Sequence, residues 1–205
     1  MLNFGEIKLD LNNIMCHSGG AIGSDTYWEE IGAEYGVKTR AYSYKTEYHK
    51  SDNKVEITEE DYKEGIKMVT IANRTLNRYG IAKYMHLLAR NWAQVKYSTD
   101  IFAIGYIIKP GKKGKKGFYN KSVVEVVDGG TSYAVQMAID NKKAVFVFEQ
   151  DLEKWFRWSY TSESFVETKI PKINTQDFAG IGTREIKQNG IKAIKDVYNL
   201  TYGSN

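Results

Sequence analysis

Three times this chain repeats one grammar: a short apolar stretch, a glycine-rich turn, then a helical pattern. The turns are residues 18–25 (SGGAIGSD), 128–132 (DGGTS) and 180–185 (GIGTRE). Strands joined through helices run parallel and bury both faces, so this repetition restricts the chain to an α/β fold. The expected architecture is Rossmann-like: three layers, α/β/α, with a mainly parallel sheet and one small β-hairpin, in a single domain over residues 1–205.

The rest of the chain reads consistently with that frame. Residues 13–17 (NIMCH) form a short buried strand, followed by a helix over 25–35, a C-cap at Gly36 and a strand over 37–42. Residues 44–56 are polar and broken and read as a surface loop. Thr58 with three following acids opens a helix to about residue 78. We treat 44–78 as an insertion. A second helix covers 82–96, with Met85, Leu88, Ala89, Trp92 and Val95 at helical spacing. The apolar run 100–108 reads as one central strand and 144–148 as another, with a β-rich piece at 123–127 and a helix over 133–140. Residues 154–167 form the hairpin. A last strand and helix fall within 177–200, the helix opening at GTRE.

Composition narrows the function classes. The net charge of +4 is mild, and much of the excess sits in KPGKKGKKG, residues 109–117. That opposes a broad nucleic-acid face but leaves room for a local anion-binding loop. The loop reads as either a solvated hairpin tip or a DNA contact, with Trp155, Phe156, Trp158 and Tyr160 either stacking bases or covering a core edge. No apolar run is long enough to span a bilayer. The first residues lack the charged start and apolar stretch of a signal peptide, so the expected location is the cytoplasm. Cys16 is the only cysteine, which rules out an internal disulfide and a cysteine-based zinc site. It reads as a buried small hydrophobe. His17, His49 and His86 stand apart in sequence, and no metal site is expected. His17 reads as a structural residue or a proton donor.

The turns carry the chemistry. At the carboxyl edge of a parallel sheet, glycine lets the backbone approach a ligand, and the unpaired N–H groups of a helix start favour phosphate. The expected ligand-binding residues are Ser18, Gly19, Gly20, Ala21, Gly23 and Asp25 in the first turn. Asp128, Gly129, Gly130, Thr131 and Ser132 supply the second, and Gly182, Thr183, Arg184 and Glu185 the third. Asp25 can cap its helix or hold ribose hydroxyls. Arg184 in a first helical turn opposes the helix dipole, which calls for an anion beside it: Glu185, Asp25 or a ligand phosphate.

SGGAIGSD resembles the SGGA-x-G-x-D motif of DNA-processing-A-like proteins and their relatives in the SLOG superfamily. That group includes the Lonely Guy phosphoribohydrolases, putative molybdenum-cofactor carriers and nucleotide-signal sensor domains. FAGIGTRE resembles the VGSR segment of the same fold, and DGGTSYAVQMAIDNKKAVFVF its later GGT segment. In the family the GSR segment comes first. Here it comes last, so the resemblance implies a circular permutation, or an exchange of residues 177–200 between subunits. Lonely Guy enzymes carry a glutamate in a PGG-x-GT-x-x-E motif. Here Gln136 or Ala134 falls at that position, according to the alignment, and Asp128 replaces the proline. Relatives often dimerise, so a homo-oligomer is implied.

The resulting expectation is a binding protein for a nucleotide or nucleotide-derived ligand: a sensor, carrier or sequestering protein, with no certain cofactor. The alternatives are a nucleotide N-glycosidic hydrolase, with Asp25 and Glu185 as candidate catalytic residues, and a single-stranded DNA-binding protein.

Overall fold

The structure, a computed structural model, describes residues 10–47 and 49–203. Residues 1–9, on which the leader reading falls, lie outside the described residues.

In chain order the strands are β1 (Met15–Ser18), β2 (Lys38–Ser43), β3 (Lys54–Glu56), β4 (Asp100–Gly105), β5 (Ile107–Ile108), β6 (Val126–Val127), β7 (Ala144–Glu149), β8 (Lys154–Ser159), β9 (Ser164–Thr168) and β10 (Asp177–Gly182). The helices are α1 (Ser24–Glu34), α2 (Glu59–Leu76), α3 (Met85–Lys96), α4 (Thr131–Asp140) and α5 (Gln188–Tyr202). Eight strands form one sheet in the order β3-β2-β1-β10-β4-β7-β8-β9. The pairs from β3 to β7 are parallel, and β8 and β9 add an antiparallel hairpin at one edge. β5 and β6 make a separate two-stranded antiparallel sheet. The α/β class with a mainly parallel sheet is therefore what the repeated turns imply.

Central strands bury alternate residues against opposite helical layers. On β4, Ile101 and Ala103 join the core beneath α2, α3 and α4, and Phe102 and Ile104 join the core beneath α1 and α5. β10 divides likewise, with Ala179 and Ile181 on the first side and Phe178 on the second. Helix α5 presents Ala193, Ile194, Val197, Tyr198 and Thr201 along one buried stripe, the spacing of an amphipathic helix. Thr58 caps α2, its hydroxyl accepting from the Asp61 N–H at 3.0 Å, and Asn77 ends the helix in the left-handed region.

Several boundaries depart from the sequence reading. Lys54–Glu56, expected in a loop, is edge strand β3. Its three residues are all exposed, so no burial pattern marks it. The run 100–108 breaks at Tyr106. There the Glu149 carboxylate accepts from the Ile107 N–H and the Tyr106 carbonyl from Asp128 N–H, turning the chain out of the large sheet and onto β6. The strand before the DGGTS turn is thus the two-residue β6 of the small sheet, not a strand of the parallel one. The last helix starts at Gln188 rather than at GTRE. Gln150 accepts from the Lys187 N–H at 2.7 Å and donates to the Glu185 carbonyl at 3.3 Å, which holds residues 183–187 out of helical geometry. Arg184 is consequently not in a helical turn. Trp155, Trp158 and Phe156 pack into the two cores, which leaves only Tyr160 of that cluster exposed. No helix among the described residues is long and apolar enough to cross a membrane.

Candidate functional site

The C-terminal strand β10 returns within the same chain to the centre of the sheet, between β1 and β4. This brings the first and third glycine turns together. The Ser24 N–H and hydroxyl both donate to the Thr183 carbonyl, at 3.1 and 2.8 Å, and the Gly182 N–H donates to Asp25 Oδ1 at 3.1 Å. Gly23 has φ of +110°, and a Cβ there would lie 2.6 Å from the Arg184 backbone, so no other residue fits the junction.

Beneath the junction is a buried ionic cluster. Asp25 and Glu29, one turn apart on α1, lie within electrostatic reach of Arg90 from α3, and each of the three is 6 % exposed. Ser18 donates to Glu29 at 2.5 Å, Ser51 also donates to Glu29, and Arg90 donates to Gln94 at 3.0 Å. A Cβ on Gly19 would meet both Arg90 and Asp25, so glycine is what lets the guanidinium and carboxylate approach the turn. Burial pushes the Asp25 carboxyl up from 3.8 to about 6, with Arg90 opposing the shift and Glu29 reinforcing it. The sequence reading missed Glu29 and Arg90. Glu29 has a signal in retrospect, since a carboxylate four residues after Asp25 shares its helix face. Arg90 has none, because α3 is buried on all sides from Leu88 to Val95.

That shift has a direct consequence for stability. Between about pH 4 and pH 6 the folded state keeps a proton on Asp25 that the unfolded chain has released. The contribution of this group is present at low pH and is lost as pH rises through 6. Relative to an Asp25→Asn variant, the wild-type protein is expected to lose about 3 kcal/mol of stability between pH 4 and pH 7. Urea unfolding of both at each pH measures it. A difference that stays constant across that range would mean that Arg90 fully compensates the charge.

Above the cluster lies a cavity of about 430 Å³, within the roughly 300–1,000 Å³ of small-ligand sites. Gly19, Gly20, Ala21 and Arg184 of the expected residues line it. So do Tyr44, Lys50 and Arg90, which the sequence reading did not single out, and His49 and His86, which it left apart from any site. His49 lies against Gly20, at φ of +61°, where a Cβ would come within 2.2 Å of the ring. Its Nδ1 accepts from the Ser51 N–H, and its Nε2 is buried with no hydrogen-bond partner. Burial, then Arg90 and Lys54, hold its pKa below the usual histidine value. Arg184 is exposed and forms no ion pair among the described residues. Glu185 pairs with Lys116, and the cation beside Asp25 is Arg90.

The other expected residues do not line this cavity. Ser18, Gly23 and Asp25 lie beneath it, and Gly182 and Thr183 are tied to α1 and to the Ile104 carbonyl. The second turn is closed on itself. Asp128 accepts from the Gly129 and Lys116 N–H groups, both at 2.8 Å. Arg78 donates to the Gly129 carbonyl, to Ser132 Oγ at 2.7 Å and to the Val127 carbonyl at 3.1 Å. Gly130 and Thr131 stay near this knot. Lys116 links it to the third turn, through Asp128 on one side and Glu185 on the other. Lys115 pairs with Asp151, so the tip of the lysine loop is pinned rather than freely solvated.

His17 is structural. A carboxylate accepts, so with Asp177 as partner Nε2–H donates to it at 2.9 Å and Nδ1 accepts from the Tyr42 hydroxyl at 2.8 Å, with burial lowering the ring's pKa. Burial likewise pushes the Cys16 thiol far up, away from reactive thiolate. No group of three metal-ligating side chains occurs among the described residues.

A larger cleft of about 690 Å³ lies between the ends of α2 and α4 and the β8–β9 hairpin. None of the residues of the three glycine turns lines it. Gln136 and Asp140 of its lining are bonded to each other, and it lacks an approachable glycine-turn backbone, so the smaller cavity has the stronger chemical case. No protein-family model, curated protein or solved structure matches the chain.

Proposed function

We propose that the protein binds a nucleotide or nucleotide-derived ligand, with its phosphate held at the 430 Å³ cavity beside the first glycine turn. The observation that carries this reading is Arg184, a cation on the cavity wall with no carboxylate partner among the described residues. Lys50 and Arg90 add positive charge to the same wall, and His49 adds an unpaired ring nitrogen. Together with a backbone turn that a ligand can approach closely, they form an anion-accepting surface. The return of β10 to the sheet centre within one chain favours permutation over subunit exchange for the SLOG-like segment order.

The hydrolase reading has less support. Asp25 sits behind Gly19, Glu185 is engaged by Lys116, and Ala134 and Gln136 are buried along α4. Dimerisation stays a proposal; edge strand β9, with Val166 exposed, is the surface that favours it, and light scattering tests it.

Thermal-shift titration with AMP, ADP, ADP-ribose and cyclic dinucleotides tests the binding, with mass spectrometry of each mixture afterwards. A ligand at a hundred times its Kd adds about 2.7 kcal/mol of stability. Arg184→Ala is expected to weaken that ligand about tenfold or more while leaving the unliganded Tm unchanged. If no nucleotide at millimolar concentration shifts the Tm, or if Arg184→Ala binds as tightly as the wild type, the reading fails.

A further inference from the structure

Between Glu64 and Glu125 the sequence carries twelve lysines and arginines and a single acidic residue, Asp100. Asp100 is buried at the start of β4, so the surface contributed by this stretch is almost purely cationic. The whole chain has a net charge of only +4, which means that the positive charge is segregated rather than spread. Some of these cations are already engaged: Lys96 with Asp61 and Glu64, Lys115 with Asp151, Lys116 with Glu185, while Arg78 and Arg90 are buried. Lys109, Lys112, Lys113 and Lys121 are exposed and pair with no carboxylate among the described residues.

Large aromatic rings stand among these lysines. Tyr79 is 80 % exposed and Tyr119 53 %, values that a packing role does not explain. The Lys121 ammonium lies over the Tyr79 ring at 5.0 Å, and the Arg78 guanidinium over the Phe118 ring at 4.3 Å. These two contacts join the turn after α2 to the lysine hairpin in one surface. Tyr119 pairs across the hairpin with Lys113.

The hairpin is built to hold its shape. Gly111 N–H donates to the Asn120 carbonyl at 3.0 Å and Asn120 N–H to the Lys112 carbonyl at 2.8 Å. The buried Asn120 amide donates to the carbonyls of Ile108 and Val124, both at 2.9 Å. A rigid platform loses less entropy on binding than a mobile tail.

We propose that this surface, the 78–80 turn together with the hairpin from Lys109 to Lys121, binds single-stranded nucleic acid. Unpaired cations meet the phosphates, and Tyr79 and Tyr119 stack on unpaired bases, the combination that sequence-tolerant single-strand binding uses. A duplex hides its base faces and offers the tyrosines nothing to stack on. The unpaired lysines, Tyr79 and Tyr119 do not line the cavity that holds Arg184, although Lys116 of the hairpin pairs with Glu185 beside it.

The test is fluorescence anisotropy of the full chain with labelled dT20, rU20 and a 20-base-pair duplex, from 50 to 300 mM NaCl. Both single strands are expected to bind more tightly than the duplex. The logarithmic salt slope should be about −3, as four phosphate contacts give. Tyr79→Ala and Tyr119→Ala are each expected to weaken binding about fivefold or more. Lys112→Gln, Lys113→Gln and Lys121→Gln combined should flatten the slope by about 2. All these positions are exposed, so the Tm serves as a folding control. Arg184→Ala should leave dT20 binding unchanged. A preference between dT20 and rU20 identifies which nucleic acid is favoured and supports the proposal. It is overturned by no binding at 50 mM NaCl, by duplex binding as tight as dT20, or by binding to phosphatidylserine vesicles alone.

Discussion

Replacing Arg90 with methionine is expected to lower the unfolding free energy by about 3–5 kcal/mol at pH 7. Methionine keeps most of the volume but removes the basic side chain that acts on both Asp25 and Glu29, two carboxylates that are 6 % exposed. Left without it, they repel one another in a site that water cannot screen, and Gln94 loses its donor. The penalty should already shrink as pH falls toward 6, because Arg90 holds the Asp25 carboxyl down and without it Asp25 takes up its proton above about pH 6, which removes one of the uncompensated charges. Adding Asp25→Asn and Glu29→Gln to Arg90→Met should recover most of the loss, since a neutral cluster no longer requires a cation. Chemical denaturation of the single and triple variants decides it. A single variant within 1 kcal/mol of wild type would mean that the cluster is not electrostatically closed by Arg90.

Trp28→Ala is expected to cost about 3–5 kcal/mol by emptying the centre of the α1–α5 face. The indole is fully buried and meets Phe102, Phe178 and Tyr198 with ring centroids 5.9, 5.9 and 5.6 Å away. The Trp28 carbonyl also accepts from the Tyr198 hydroxyl at 2.8 Å, which ties α1 to α5. The ring lies directly on β10 at Gly180, where a Cβ would be 2.5 Å from its Cγ. Gly180→Val alone should therefore also destabilise, by about 1–3 kcal/mol, through overpacking. In the Trp28→Ala background the same valine fills vacated space. The double variant should fall short of the summed losses by at least about 1 kcal/mol. Strict additivity would show that Gly180 and Trp28 are not packing partners. The contact bears on the site as well, because Trp28 fixes the helix that carries Asp25 and Glu29 against the strand that carries Gly182.

The class of the fold and the run of its elements were legible from the residues. The alternation of apolar stretch, glycine turn and helix is a local signal, and β4 and β7 are largely apolar on both faces because both faces are covered. Thr58, Gly36 and the acids at 59–61 mark helix ends by chemistry that operates within a few residues. Where the expectations failed, the decisive partner was distant in sequence. Glu149 turns the chain at Tyr106, and Gln150 delays α5 by holding residues 183–187.

The candidate site divides along the same line. Glycine turns announce that a backbone will be approached closely, but not by what. At Gly19 the close neighbour is Arg90, at Gly20 it is His49, and at Gly23 it is the Arg184 backbone. None of these lies within twenty residues of its glycine. The sequence by itself determined that there would be a parallel sheet with tight turns at one edge and polar groups in them. Only the tertiary structure decided that the first and third turns interlock while the second closes around Arg78, and that a buried ionic cluster underlies a cavity walled by cations. Short-range steric and capping preferences act between neighbours in the chain, whereas desolvation and Coulomb forces act between neighbours in space, and the return of β10 to the middle of the sheet is what creates those neighbours.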